Sequence, residues 1–354
     1  MIVDAHLDLA YNELVYGRNL RQPLAKLRAQ NPKPGPRGIP IVTIPELQKG
    51  GVGLVFGTLF VMPAAYKVTG LDGGETYHTA EQAHRQAMAQ LDYYHRLADE
   101  DDTIRLVTDS ASLDTVIASH EPGSAEPPLL GIVPLMEGAD PIREPEEAEL
   151  WHARGLRLIG LAWDDTRYAH GAWRSGEGLT GEGHRLLEVM AQFRFIADLT
   201  HMSERASLET LERYAGPVVA THSNVRDLVD GRPRHLSNQQ ISLLGERNGV
   251  IGIVLFNKFL KADYQTGNPN NMVTLNDVVA HIDHICQLLG DADHVGIGSD
   301  FDGGFGAADI PAEMNSAADL PLIAAKLHEK GYEEAHISKI MGENWVNLLR
   351  RAWA

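Results

Sequence analysis

Short runs of apolar and β-branched residues recur along the whole chain. Eight such runs occur, at about residues 2–8, 52–61, 129–137, 156–163, 195–201, 217–222, 250–256 and 294–300. Most of the segments between them, such as 75–100 and 275–289, have apolar residues at helical spacing, so strands alternate with helices. Parallel strands need helical crossovers of this kind. The pattern therefore predicts a TIM-type (β/α)8 barrel of the α/β class, in which residues 1–354 form a single domain with loop insertions.

An open, doubly wound α/β sheet is the competing architecture. No glycine-rich phosphate-binding loop of standard spacing follows any of the runs, which removes the usual reason to prefer that fold. Two insertions interrupt the alternation. Residues 16–50 include a Pro- and Gly-rich stretch at 31–38 and are expected to shape the mouth of the barrel, whereas residues 101–128 are expected to decorate the surface.

The composition is that of an acidic globular protein. Apolar residues make up 44% of the chain and charged residues 22%, which argues against a disordered protein. The net charge of −17 disfavours nucleic acid or an anionic membrane as a partner, because both would be repelled. The single cysteine, Cys286, excludes an intrachain disulfide framework. Since no secretory leader or long apolar run is recognisable, we expect a cytoplasmic protein that acts on a small molecule, and a homodimer remains open.

Residues that bind metals or move protons follow five of the eight runs. The first run ends in His6-x-Asp8, whose two side chains share one face of a strand. Glu137 ends the third run, and His201, His222 and Asp300 end the fifth, sixth and eighth. A barrel of parallel strands brings these ends to one face, where such enzymes keep their chemistry. We therefore expect three histidines and three carboxylates to meet at one place.

Each of these residues alone has an ordinary explanation. A His-x-Asp pair occurs by chance on solvated strands, Glu137 can cap a helix, and single histidines are more often structural than ligands. Their coincidence at one end of so many strands favours a metal site instead. Imidazole and carboxylate together suit a borderline ion such as zinc, and the set is large enough for two ions. Two further histidines, His281 and His284, are expected in exposed or capping positions on a helix.

The segments around these residues resemble one known family. They read DAHLDLA, LMEGAD, IADLTHMS, VVATHSN and HVGIGSDFDGG. They closely resemble the membrane (renal) dipeptidase family, peptidase family M19 of the amidohydrolase superfamily. The similarity runs almost from end to end, through IPELQKGGVGLVFGTLFV, RPRHLSNQQI and GENWVNLL.

The resemblance implies a binuclear zinc site. His6 and Asp8 would bind one zinc ion, His201 and His222 would bind the second, and Glu137 would bridge the two. The implied activity is hydrolysis of dipeptides, including those with a D-residue at the carboxyl-terminal position. A hydroxide held between the two ions would be the nucleophile, because bound metal lowers the pKa of water to about 7.

Two further roles follow from the resemblance. Asp300 matches the family's catalytic aspartate, which would take the proton of the nucleophile and deliver it to the leaving amine. Arg234 matches the arginine that binds the terminal carboxylate of the substrate through its forked guanidinium. Neighbouring Arg232 is an alternative match.

The end of the fourth run departs from the family pattern. Mammalian members have a histidine there that is proposed to stabilise the tetrahedral intermediate, whereas this chain has Trp163, within GLAWDD. We expect Trp163 to contact the substrate and to offer one N–H donor, with nearby His170 as an alternative donor. The departure leaves two other functions open: an amidohydrolase acting on a non-dipeptide amide or lactone, and a metal-binding descendant without activity.

Overall fold

Every one of the eight apolar runs contains a strand in the computed structural model, which describes residues 1–31, 38–65, 76–124, 127–174, 176–266 and 272–354. In chain order the strands are β1 Ile2–Leu7, β2 Val52–Phe60, β3 Met62–Pro63, β4 Thr76–Tyr77, β5 Ile104–Leu106, β6 Leu130–Glu137, β7 Leu158–Gly160, β8 Ile196–Asp198, β9 Val218–Val219, β10 Ile251–Ile253 and β11 Val295–Ile297. Most of the Pro- and Gly-rich stretch of the first insertion, residues 32–37, lies outside the described residues.

The eight predicted strands pair side by side, all in parallel. Their order is β10-β11-β1-β2-β6-β7-β8-β9. A parallel bridge between Ala220 and Ile251 joins the two ends of that order, so the sheet closes on itself. The prediction of a TIM-type (β/α)8 barrel is therefore confirmed. Because all eight strands run in the same direction, their carboxyl ends lie at one face of the barrel.

Helices follow most of the strands and supply the crossovers. They are α1 Leu9–Leu14, α2 Leu24–Gln30, α3 Ile44–Lys49, α4 Ala80–Glu100, α5 Ser110–Ser119, α6 Ala148–Ala153, α7 Gly181–Gln192, α8 Glu204–Arg213, α9 Asn238–Glu246, α10 Asn257–Leu260, α11 Leu275–Leu289, α12 Pro321–Lys330, α13 Glu334–Ser338 and α14 Asn344–Ala352. The predicted helix at 275–289 is α11, and the one predicted at 75–100 begins at Ala80, because the Thr79 side chain caps it by accepting from the Gln82 N–H. None of the helices described is both long and apolar enough to cross a membrane.

The largest apolar cluster joins the strands to the surrounding helices, and a second cluster joins the strands to the C-terminal helix α14. In the second cluster, Trp345 is fully buried and donates its indole N–H to the Ile297 carbonyl, 3.2 Å away. Its ring meets Phe56 of β2 edge to face. Packing of α14 therefore fixes β2 and β11 relative to each other.

The prediction that residues 101–128 decorate the surface is wrong for part of the segment. This segment contains β5, which pairs in parallel with the start of β6, and α5, which buries Leu113 and Val116. Two of its acidic residues have local structural roles: Asp109 caps α5, and Asp101 accepts a hydrogen bond from the Thr103 N–H. The segment was missed because its strand has only three residues and lies among charged ones.

Candidate metal centre and substrate pocket

The six residues predicted to form a metal and proton-transfer site lie together at the carboxyl ends of five strands. They are His6 within β1, Asp8 directly after it, Glu137 at the end of β6, and His201, His222 and Asp300, each three residues beyond the end of its strand. The first five are buried, and the Asp300 side chain is only 14% exposed. One end of the barrel therefore holds a cluster of ionisable groups that is largely shielded from solvent.

Glu137 lies at the centre of this cluster. Its Oε1 is 3.0 Å from Nε2 of His201 and 3.4 Å from Nε2 of His222. Its Oε2 is 3.6 Å from Nε2 of His6. The two carboxylate oxygens thus face two different groups of side chains, as a carboxylate that bridges two cations must.

The group on the His6 side is rich in carboxylates. Nε2 of His6 lies 3.8 Å from Oδ1 of Asp300 and 4.0 Å from Oδ1 of Asp8. Ligand atoms of these three residues all lie within 4.8 Å of one another, and so do those of His6, Glu137 and His222. The Thr58 hydroxyl donates a hydrogen bond to Asp8 and holds its carboxylate in place. His6 belongs to both sets, and on the other side of Glu137 the Nε2 atoms of His201 and His222 lie 3.0 Å apart.

Two of the site residues have left-handed backbone conformations. The φ angle is +67° at His201 and +58° at Asp300. Such angles cost of order 1–3 kcal/mol for residues other than glycine, and they persist only where the surroundings enforce them. Both lie on the tight turns that follow a strand, where the conformation directs the side chain to the centre of the barrel mouth.

Carboxylates dominate the electrostatics on the His6 side. Burial opposes the charged form of His6, but Glu137, Asp300 and Asp8 outweigh it and raise the pKa of His6 to about 10. Burial also raises the pKa of Asp300 well above its ordinary value, with Asp8 and Glu137 adding to the effect. For Asp8, burial and Glu137 raise the pKa to about 6. This half strongly favours a bound positive charge.

The opposite half behaves differently. Burial and the Arg234 guanidinium lower the pKa of His201 to about 4. Burial and His6 hold the pKa of His222 well below its ordinary value. Both imidazoles are therefore neutral at pH 7, which is the form that binds metal. Burial alone would raise the pKa of Glu137, but His6, His201 and His222 hold it well below the usual range, so this carboxylate is ionised.

The residues fit the zinc ions that the resemblance implies. Both ring nitrogens of His6 are buried and make no hydrogen bond with any described residue, an arrangement that is costly without a ligand. Imidazole nitrogens and carboxylate oxygens are ligands that zinc accepts. The donor set and the unsatisfied imidazole therefore both favour a metal at this site.

Arg234 lies beside the His201 and His222 half. Its guanidinium donates to the Ser223 hydroxyl at 3.1 Å and to the His222 carbonyl at 3.0 Å, and Nη2 is 3.3 Å from Nε2 of His201. The residue is only 3% exposed, yet no carboxylate among the described residues lies within ion-pair distance of it. Burial lowers the pKa of Arg234 only to about 10, so the side chain keeps its charge at pH 7. A buried, charged guanidinium that no carboxylate contacts directly is suited to binding an anion.

A cavity of about 220 Å³ opens over the cluster, and its walls are mostly aromatic. On one side Trp163 meets Phe60, and Phe60 meets Tyr11, with ring centroids 5.0 Å apart in each pair. Phe259 also lines the cavity and packs under the Arg234 guanidinium, 5.3 Å from it. We call the first side, formed by Tyr11, Tyr16, Phe60, Met62 and Trp163, the Trp163 wall.

The Trp163 wall and Arg234 both lie close to His201. The ring of Trp163 is 6.0 Å from that of His201. The alternative donor, His170, is occupied elsewhere: its Nδ1 lies 3.5 Å from Asp165 and its Nε2 3.5 Å from Glu177. Arg232, the alternative to Arg234, is half-buried and donates to the Lys258 carbonyl. Among the described residues, Arg234 is the one Lys or Arg side chain that lines the cavity.

With this geometry established, comparison with known proteins is decisive. The sequence model of the family described as "Membrane dipeptidase (Peptidase family M19)" matches residues 1–353. This chain belongs to that family. The match confirms the resemblance seen in the sequence and places the chain among the metallo-dipeptidases.

Solved structures of similar proteins cover the whole chain. The dipeptidase AC, a metallopeptidase of family M19, is 26% identical, with a TM-score of 0.81 over 99% of this chain and 98% of that one. A metallopeptidase from Rhodobacter sphaeroides, solved with a phosphinate mimic of the dipeptide L-Ala-D-Ala, is also 26% identical, with a TM-score of 0.80 and 99% of each chain covered.

Among curated sequences, an uncharacterised protein in the pqqA 5′ region of Klebsiella pneumoniae is 33% identical over 237 residues, which are 64% of this chain and 84% of that protein. Dipeptidase tcpJ of Claviceps purpurea (strain 20.1) is 28% identical over 208 residues, 57% of this chain and 46% of that protein.

Sequence reasoning missed the burial of three polar residues. His281, expected to be exposed or capping, is 1% exposed, with its Nδ1 accepting from the Val225 N–H and its Nε2 3.2 Å from the Leu260 carbonyl. Asp4 and Asp198 are also buried beneath the site. A signal was present for the two aspartates, since each is a charged residue within an otherwise apolar run.

Proposed function

We propose that this protein is a binuclear zinc dipeptidase. The observation that carries the proposal is the bridging arrangement of Glu137, whose two oxygens face separate ligand groups at the mouth of the barrel. His6 and Asp8 would hold one ion, His201 and His222 the other. When bound, the two ions would lower the pKa of water and polarise the scissile carbonyl.

Asp300 is proposed as the group that moves protons. Its carboxylate lies in the cavity, 3.8 Å from His6, and burial raises its pKa well above the ordinary value. A carboxylate with raised proton affinity can accept a proton through Oδ1 as water attacks the peptide carbonyl. The same atom then delivers the proton to the leaving amine nitrogen.

Arg234 is proposed to bind the terminal carboxylate of the substrate. It supplies the buried positive charge beside the His201 and His222 half of the site. A dipeptide held there by its carboxylate would place its peptide bond over Glu137 and its amino-terminal end towards the carboxylate-rich half. Only a dipeptide has its free amino group and its terminal carboxylate on the two sides of the same peptide bond, so binding of both charged ends would favour dipeptides.

The Trp163 wall is proposed to contact the side chain of the amino-terminal residue of the substrate. Arg234 packs over Phe259, whereas Trp163 packs against Phe60, so we place the carboxyl-terminal residue at the Phe259 group and the amino-terminal residue at the Trp163 wall. The wall is apolar and presents large aromatic surfaces, which favours an apolar amino-terminal residue. The L-Ala-D-Ala mimic bound to the Rhodobacter sphaeroides relative supports dipeptides with a D-residue at the carboxyl-terminal position.

The experiment that tests the proposal combines metal analysis with a substrate panel. Protein purified without chelator should contain two zinc ions per chain, and it should hydrolyse L,L- and L,D-dipeptides. Activity should disappear on chelation and return with zinc. Absence of bound metal would contradict every enzymatic function considered for this chain.

A second candidate is an amidohydrolase that acts on a non-dipeptide amide or lactone. The observation in its favour is Trp163, which stands where mammalian relatives have a histidine. Two bound zinc ions with hydrolysis of N-acyl amino acids or lactones, and none of dipeptides, would favour this candidate. Two zinc ions with no hydrolysis of either class would indicate a metal-binding descendant without activity.

A further inference from the structure

Two buried aspartates lie directly behind the site, and the mechanism above does not use them. Asp4 is in β1 and is 0% exposed, and Asp198 is the last residue of β8 and is 3% exposed. A buried carboxylate is costly unless hydrogen bonds satisfy it, so each needs a structural explanation. Their hydrogen bonds follow one scheme.

Asp4 receives three hydrogen bonds. Its Oδ1 accepts from the N–H of His6, two residues along the same strand, at 3.3 Å. The same oxygen accepts from the N–H of Ser299, beyond the end of the neighbouring strand β11, at 2.8 Å. Its Oδ2 accepts from the Ser299 hydroxyl at 2.5 Å.

Asp198 repeats this arrangement at another place in the barrel. Its Oδ1 accepts from the N–H of Thr200, again two residues along, at 3.0 Å, and from the N–H of Thr221 beyond the neighbouring strand β9 at 2.9 Å. Its Oδ2 accepts from the Thr221 hydroxyl at 2.5 Å. In both places, one aspartate therefore fixes both the backbone and the hydroxyl of a Ser or Thr just beyond the end of the neighbouring strand.

In both places the residue after the hydroxyl is a functional one. Thr221 precedes His222, and Ser299 precedes Asp300. The Thr221 hydroxyl gives its proton to Asp198, so its oxygen is left to accept from Nδ1–H of His222, 3.1 Å away. That bond places the lone pair of His222 on Nε2, the atom that faces Glu137.

The Ser299 hydroxyl accepts a hydrogen bond from the backbone, whereas the Thr221 hydroxyl accepts one from an imidazole ring. After donating to Asp4, its oxygen accepts from the N–H of Phe301 at 3.2 Å. The bond spans Asp300 and closes the turn in which Asp300 has its φ angle of +58°. The strained conformation of Asp300 is therefore enforced by a hydroxyl that a buried aspartate orients.

We infer that Asp198–Thr221 and Asp4–Ser299 are two equivalent positioning pairs with separate targets. The first sets the tautomer and orientation of the metal ligand His222, and the second sets the backbone of the proton carrier Asp300. The inference depends on the proposed function only for the roles of His222 and Asp300. The hydrogen-bonding scheme itself concerns the protein alone.

The role of the Asp198–Thr221 pair is tested by Thr221→Val, with Thr221→Ser as the matched control that keeps the hydroxyl. In the metal-free wild type, nitrogen-15 NMR of labelled histidine should show His222 protonated on Nδ1, with His222→Gln used to assign its signal. Thr221→Val should lose this tautomer preference and bind one of two zinc ions about 10- to 100-fold more weakly, and Thr221→Ser should preserve both. If His222 is protonated on Nε2 in the wild type, the role inferred for the Asp198–Thr221 pair is wrong.

The role of the Asp4–Ser299 pair is tested by Ser299→Ala, with Ser299→Thr as the control that keeps the hydroxyl. Ser299→Ala should lower kcat about tenfold or more, leave KM and the His222 tautomer unchanged, and release Asp300 from its left-handed conformation in a crystal structure. Ser299→Thr should restore turnover. In an Asp300→Asn background, Ser299→Ala should cause no further loss, because its target is already removed.

The two sets of variants together distinguish a positioning role of the pairs from a general contribution to stability. If Thr221→Val and Ser299→Ala weaken zinc binding and turnover alike, in proportion to a lower melting temperature, the pairs are structural and the inference is wrong. Should a variant fail to fold, Asp198→Asn and Asp4→Asn preserve volume and test the same bonds. A wild type that binds no zinc would contradict the proposed function, while the tautomer and the Asp300 conformation would still decide this inference.

Discussion

Two histidines of the same cluster, His6 and His201, have opposite proton affinities. Both approach Glu137, through Oε2 and Oε1 respectively. Yet the pKa of His6 is raised to about 10 while that of His201 is lowered to about 4. Burial lowers the pKa of both histidines, so the difference comes from the charged side chains around them. Asp8 and Asp300 lie beside His6, whereas Arg234 lies beside His201.

The contrast shows that the two halves of the site differ in the sign of the charge that they favour. The carboxylate-rich half favours cations, and the half beside Arg234 has a buried positive charge suited to an anion. A dipeptide has a positive amino group at one end and a carboxylate at the other. We therefore propose that the asymmetry of the cluster orients the substrate as well as binding the metals. Each prediction below removes or reverses one part of that asymmetry.

The largest effect is expected from the carboxylate-rich half. Asp300→Asn should lower kcat by about 10²- to 10⁴-fold, because the amide cannot accept and return the proton. Zinc content should stay at the wild-type value, since His6, Asp8 and Glu137 remain. Steady-state kinetics and metal analysis of the same preparation test both statements.

Loss of zinc in Asp300→Asn would show that this carboxylate is needed to hold a metal, and near-normal turnover would remove it as the proton carrier. Asp300→Glu provides a second comparison. It restores a carboxylate on a longer side chain, so partial recovery of kcat at full zinc content would show that the charge matters more than its position.

In the opposite half, Arg234→Met should raise KM for dipeptides and lower kcat/KM by roughly 30- to 1,000-fold, which corresponds to about 2–4 kcal/mol for losing one partner of a buried charge pair. Arg232→Met is the matched control, because Arg232 donates to the Lys258 carbonyl and does not line the cavity. Equal losses in the two variants would mean that Arg234 acts through overall charge alone. Larger loss in Arg232→Met would reassign the carboxylate site.

The two histidines should also divide the pH dependence of stability in the metal-free protein. His6 has a raised pKa, so its contribution is fully present below its ordinary value of 6.5 and is lost as pH rises towards about 10. His201 has a lowered pKa, so its contribution is present above 6.5 and is lost as pH falls towards about 4. Urea unfolding of chelator-treated protein across this range measures both effects.

Variants of these histidines sharpen the comparison. His6→Gln should remove part of the alkaline loss of stability and leave the acid loss, and His201→Gln should do the reverse. The same pH profile in both variants would mean that the two histidines titrate as one unit and that the proposed asymmetry is absent. Zinc should remove the alkaline loss in the wild type, because a bound metal displaces the proton of His6, and it should leave the acid loss, because protons compete with the metal for His201.

The barrel could be predicted from the sequence because its strands are buried on both faces and therefore appear as unbroken apolar runs. β5 escaped this reasoning: it has three residues, Ile104–Leu106, and only Ile104 is fully buried. The positions of His6, Glu137 and Asp300 at one mouth followed from strand direction alone. Their separation into two electrostatically different halves did not, because that depends on a few ångströms between side chains from distant strands.

Asp302 illustrates the same limit. Sequence spacing suggests only a turn residue after Asp300. In the structure its carboxylate accepts from the N–H groups of Ile41 and Val42 and pairs with the buried Arg18, so it anchors the first insertion to the mouth of the barrel. The partners are more than 250 residues away in the chain. No local pattern in the sequence could have identified them.

The smallest effect is expected at the Trp163 wall, where the change concerns preference and not the chemical step. Trp163→His should lower kcat/KM for dipeptides with a large apolar amino-terminal residue by roughly tenfold, because an imidazole covers less apolar surface than an indole. Substrates with an amino-terminal glycine should lose much less, so the ratio of the two kcat/KM values is the measurement. Trp173→His is the matched control: the same residue type lines the same cavity, 42% exposed, on the Phe259 side. If Trp173→His shifts the amino-terminal preference and Trp163→His does not, the substrate lies the other way round, and the charge difference between the His6 and His201 halves does not orient it.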